Sequence, residues 1–181
     1  MRPLLLSMSL LATCAALAGC RHEVNRQQVA EFIDQADEAA RKRFAPEICE
    51  LRGKNFTMHL TFHAEDAREP AEMDVSRKLY CQQAGSHSQL RQYLLERKSI
   101  EIDVATDRRT ATVTAEYLET MPYYEPGVRP ATLDDFRYFQ IVESRDVSVV
   151  GIEDGDVRFL STRTESYQKL VKKGTLRIPY N

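Results

Sequence analysis

The chain has 181 residues, with 25 basic against 27 acidic side chains and a formal net charge of −2. That near-balance provides no electrostatic footprint for nucleic acid and no strong attraction to anionic lipid by charge alone. No Gly-rich phosphate loop and no Gly-x-Ser-x-Gly nucleophile elbow occurs, so the sequence offers no signature of a P-loop nucleotide enzyme or an α/β-hydrolase.

Met1, Arg2 and Pro3 precede an apolar run from Leu4 to Leu17, broken only by Ser7, Ser9 and Thr13. A charged start, a short apolar run and small residues after it describe a secretory signal. The run is short of the roughly 20 apolar residues that span a bilayer. Leu17-Ala18-Gly19-Cys20 resembles a bacterial lipobox. The resemblance implies cleavage before Cys20 and diacylglycerol on its thiol. Residues 1–19 are then a signal, 20–23 a lipidated tether and 24–181 a single domain. Arg21 stands where an aspartate would retain such proteins in the inner membrane, so the same resemblance implies a periplasm-facing protein on the outer membrane. Its membrane partner is the lipid, each buried methylene contributing about 0.8 kcal/mol.

Cleavage leaves 162 residues and, with Arg2 gone, a net charge of −3, a size that suits one core. Cys14 leaves with the signal and Cys20 carries lipid, so Cys49 and Cys81 remain. An oxidising compartment favours a disulfide between them, with two buried free thiols as the alternative. Closing that loop is worth roughly 3–4 kcal/mol in the chain-entropy model.

Val29, Phe32, Ile33, Ala36, Ala40 and Phe44 recur at helical spacing, and Asn25 with Gln28 predicts a capping box. Arg41, Lys42 and Arg43 fall in the last turn, where positive charge suits the helix dipole. Pro46 starts a short second helix through Cys49 to Leu51, ended by Gly53. Phe56, Met58, Leu60 and Phe62 alternate with Thr57, His59, Thr61 and His63, which predicts a strand. Residues 64–74 read as a loop and 75–83 as a partial helix. Ser86 with Gln89 predicts another capped helix, from 86 to 98. Residues 100–104 and 111–117 read as a hairpin, and 136–143, 147–152 and 156–162 as strands, the last two joined at Asp154-Gly155. Residues 167–173 read as a short helix.

Helices first and an antiparallel sheet afterwards predict an α+β domain, with N-terminal helices packed on one face of a curved antiparallel sheet. The element order, and the strand–Asp-Gly–strand ending between Gly151 and Leu160, resemble the nuclear-transport-factor-2-like superfamily over about residues 24–165. The resemblance implies a cone of sheet wrapped on three helices, often with a pocket at its open end. Some members are isomerases or dehydratases that use an aspartate with a histidine or tyrosine inside the cone. The residues that match in type are His59 and His63, with Asp74 or Asp103. The two histidines sit about 13 Å apart on an extended strand, too far to share a metal. If their face meets solvent they are merely exposed. No catalytic residue, metal or cofactor is assigned.

The proline- and tyrosine-rich loop from Met121 to Pro130 carries Tyr123, Tyr124 and Arg129, residue types that anchor protein interfaces. A signal, a lipobox and one compact domain without evident catalytic residues are similar in layout to immunity lipoproteins that neutralise secreted bacterial toxins. The sequence therefore points first to a lipid-anchored, non-enzymatic protein binder. A small apolar-ligand binder or an isomerase- or dehydratase-like cone is the alternative, and a structural lipoprotein of an envelope assembly is another.

Overall fold

The computed structural model describes residues 23–65, 67–87, 92–124, 132 and 135–175. Cys20 and the lipobox, Arg129 and Gln89 lie outside them. The first helix, α1, is Arg26–Lys42. Asn25 and Gln28 make the expected capping box, the Asn25 side chain accepting from the Gln28 backbone amide at 2.9 Å. Val29, Phe32 and Ile33 on one face are buried against the sheet, with Phe32 4.8 Å from the Phe159 ring. Arg43 ends the helix in the left-handed region.

A short helix α2, Ala45–Glu50, leads into strand β1, Arg52–Ala64. Strand β2, Ala71–Ser76, pairs antiparallel with β1 and runs into helix α3, Arg77–His87. The other strands are β3, Leu94–Val104; β4, Thr110–Tyr123; β5, Tyr138–Glu153; and β6, Asp156–Lys172. They form one six-stranded sheet in the order β2-β1-β6-β5-β4-β3. All neighbours are antiparallel except β1 and β6, which are parallel. The turn between β5 and β6 has positive φ at both Asp154 and Gly155, as a two-residue hairpin of matching twist requires.

Several local expectations are corrected. Residues 94–98 are strand, not the end of a helix, and the third helix is α3 instead. Residues 71–74 belong to β2 rather than a loop. The expected strands 136–143 and 147–152 merge into one 16-residue strand, which begins at Tyr138. The expected helix 167–173 is instead the continuation of β6 to Lys172, paired with β5 throughout and with β1 as far as Gln168. Pairing with β5 satisfies backbone groups along this segment and overrides local helical spacing.

Cys49 of α2 and Cys81 of α3 form a disulfide, with 5.5 Å between their Cα atoms. Arg77 ties the same two helices by donating to the Cys49 carbonyl at 3.0 Å and the Arg52 carbonyl at 3.2 Å. The core lies between α1 and the sheet, centred on Ile33, Val113, Val150 and Phe56. It lies toward the β5–β6 turn and the start of α1, where Val24, Val150, Ile152 and Val157 gather.

Candidate functional site: the interior of the cone

Above that core the concave face of the sheet and the three helices enclose a cavity of about 390 Å³, within the range of small-molecule sites. Strand register sets out its lining. Ala115 of β4, Asp146 of β5, Thr164 of β6 and Leu60 of β1 lie in one row across the sheet. The next row is Tyr117, Ser144, Ser166 and Phe62, and on the other side is Val113, Ser148, Thr162 and Met58. The two central strands therefore present hydroxyls and a carboxyl to the cavity. The flanking β1 presents only apolar side chains in these rows.

Three carboxyl groups and two guanidiniums line this space. Asp37 of α1 is 4% exposed. It is ion-paired with Arg97 at 2.8 Å and accepts from the Tyr117 hydroxyl at 3.1 Å. Burial still raises its pKa, against the opposing pull of Arg97. Glu119 accepts from the Tyr93 hydroxyl at 3.0 Å, and burial raises its pKa too. Burial and the Glu119 charge in turn hold Tyr93 firmly protonated.

Asp146 has the third carboxyl. Burial pushes its pKa from the ordinary 3.8 up to about 6, with the Thr164 hydroxyl and the Arg52 charge acting in the other direction. A carboxyl poised there exchanges a proton within the physiological range. Because the folded pKa is raised, its contribution to stability is complete below about pH 4 and is lost as pH rises through 6. The loss is about 3 kcal/mol for a shift of this size. Urea unfolding from pH 4 to 7.5 is expected to show Asp146→Asn gaining about that much on the native chain across the window. A constant difference between the two proteins would show that Asp146 titrates normally.

Arg52 stands at the start of β1, stacked 4.3 Å from the Phe159 ring centre and 4.7 Å from that of Tyr80. It donates to the Tyr80 hydroxyl at 2.7 Å and more weakly to the Ile48 carbonyl at 3.4 Å. Three aromatic rings, Phe56 included, hold the cation in place.

The residues singled out in the sequence lie elsewhere. His59 faces outward and contacts Asp74 at 2.8 Å; His63 stacks on the outer Tyr167 and reaches Glu165 at 3.2 Å. Asp103 is exposed on β3. Their alternation partners Met58, Leu60 and Phe62 line the cavity instead. Among the described residues no cluster of three metal-ligating side chains occurs. Tyr123 ends β4, and Tyr124 packs edge-on against Phe136, outside the cavity lining.

No family model matches the chain, and no curated protein sequence does. Solved structures do match. A hexachlorocyclohexane dehydrochlorinase, LinA-type3 of Novosphingobium barchaimii, superposes with a TM-score of 0.57 over 85% of this chain and 94% of its own, at 8% identity. An NTF2-like protein of Cytophaga hutchinsonii gives 0.52 over 79% and 99%, at 14% identity. The chain has an NTF2-like fold. A third such structure, a protein of Novosphingobium aromaticivorans provisionally named a scytalone dehydratase, gives 0.54 over 86% and 90%, at 15% identity. At these identities the likeness establishes the NTF2-like fold and nothing of the chemistry.

Proposed function

We propose that the interior of the cone is a binding site for a small, largely apolar molecule, with Asp146 placed to take or give a proton beside it. The observation that carries this reading is the cavity itself: about 390 Å³, apolar along β1 and polar along the two central strands, where Asp146 is recessed. Apolar walls with a few convergent polar groups, one of them a perturbed acid, are the pattern of a ligand site. Neighbours of the same fold are named as a dehydrochlorinase and a dehydratase, so the fold accommodates elimination chemistry. In this chain a base for such a step would be Asp146, ionised above its pKa of about 6. The interior supports this reading more strongly than it supports a toxin-neutralising interface, whose expected loop lies largely outside the described residues. Membrane anchoring through Cys20 remains part of the proposal and would place the cone in the periplasm.

Filling the cavity tests the reading. Ala115 is 2% exposed and lines the interior. Ala115→Trp is expected to keep the fold and abolish binding of a naphthalene-sized probe, measured by calorimetry. Undiminished binding in a folded Ala115→Trp protein would place the probe elsewhere.

A further inference from the structure

We propose that the polar floor of the cavity recognises a planar head group carrying a hydrogen-bond acceptor beside a donor, as in a primary amide or a lactam, seated between Arg52 and Asp146. The inference rests on reading the cavity as a small-molecule site and names the class of molecule it takes.

Among the described residues, the buried side-chain atoms of this cavity without a hydrogen-bond partner include Arg52 Nε and Asp146 Oδ1, besides Nε and Nη1 of Arg43 and Oδ2 of Asp37, which Arg97 pairs. Native interiors leave few such atoms unsatisfied, because each costs its full desolvation. The first two are neighbours. Asp146 and Thr164 are direct cross-strand partners, and Arg52 is near enough to Asp146 to stabilise its charge. Arg52 is not free to swing away. Its two terminal nitrogens are engaged by Tyr80 and the Ile48 carbonyl, and its plane lies over Phe159 and Tyr80. Nε is the donor left over.

The other acids do not compete for this role, since Asp37 is held by Arg97 and Tyr117 and Glu119 by Tyr93. Beside Asp146 the floor therefore offers one fixed donor and one acceptor, with the Thr164 hydroxyl turned to the same carboxyl. A cationic head meets the Arg52 charge, and an anionic head meets ionised Asp146. A neutral head satisfies both sides: its carbonyl accepts from Arg52 Nε and its N–H donates to Asp146 Oδ1. The apolar body then lies against Met58, Leu60 and Val113.

Three probes with one body separate the possibilities: 2-naphthamide, the near-isosteric 2-acetylnaphthalene, which lacks the donor, and 2-naphthylmethylamine, which is cationic. Titration calorimetry at neutral pH is expected to give the amide at least about tenfold tighter binding than the ketone, the discrimination shown by sites built to hydrogen-bond a missing group. The amine should bind more weakly than either. Asp146→Val should bring amide and ketone to equal affinity while ketone binding persists. Equal affinities in the native protein would overturn the inference and leave the cavity reading intact, since ordered water would then satisfy Arg52 Nε and Asp146 Oδ1. Tightest binding by the amine would overturn it as well. Failure of all three to bind would contradict the small-molecule reading itself.

Discussion

Replacing Arg97 by methionine is expected to destabilise the protein by about 3 kcal/mol at pH 7, the cost of leaving a buried charge without its partner. Asp37 sits on the cavity-facing side of α1 at 4% exposure, and Arg97 of β3 contacts it at 2.8 Å. The remaining cation, Arg41, is 3.8 Å away and half exposed, so water screens much of its effect. Methionine keeps the packing volume along β3 but supplies no charge. Asp37 already has a raised pKa with Arg97 present, and removing the guanidinium raises it further. The folded variant therefore favours the protonated acid. Its deficit should shrink as pH falls and Asp37 takes up a proton in both proteins. Urea unfolding at pH 7 and pH 4 measures this. A deficit that is the same at both pH values would assign the loss to packing rather than to charge.

The second large effect concerns the bridge. The double substitution Cys49→Ser, Cys81→Ser is expected to cost about 3–4 kcal/mol, for cysteines separated by 32 positions. The helix it secures lies at the edge of the fold, against α2 and β1. Exposure is widespread along α3, and its ties to α2 and β1 include the Arg77 hydrogen bonds and the packing of Tyr80 on Phe56. Tyr80 also accepts from Arg52 at the cavity floor. Loosening α3 therefore reaches the site, and the variant should bind the amide probe more weakly than the native protein does. Denaturant unfolding with and without reductant checks the stability; the two treatments should differ for the native chain and coincide for the variant. A native protein indifferent to reductant would show that the bridge contributes nothing.

How much of this was legible in the sequence depended on what each face of an element meets. The capping box at Asn25 and Gln28, the apolar face of α1 and the Asp154-Gly155 turn follow from local chemistry, and the structure has all three. The cone followed from element order, through the strand–turn–strand ending. The cavity's polar side did not. Alternation is read on the assumption that apolar residues point inward, and β5 and β6 violate it: Ser144, Asp146, Ser148, Thr162, Thr164 and Ser166 line the interior. Polar side chains on both faces around 143–146 look like a break, yet the strand is continuous because one face meets solvent and the other a polar cavity. For β1 the same assumption held, and its histidines lie outside as alternation requires. Arg52 and Asp37 were hidden for another reason. Their significance comes from contacts 28 and 80 positions away, with Tyr80 and Tyr117. The capping pattern of Ser86 with Gln89 suggested a helix to 98, but pairing with β4 keeps residues 94–104 extended.

The most direct test of the central claim is a methyl-resolved NMR titration of the folded protein with 2-naphthamide. The interior methyls of Ile33, Met58, Leu60, Val113 and Val142 line the cavity, whereas Ile100, Val147 and Leu170 are exposed on the outside. Binding inside the cone predicts saturable shifts at the first group, none at the second, and loss of all of them in Ala115→Trp. Shifts confined to the outer methyls, or interior shifts that survive Ala115→Trp, would contradict it.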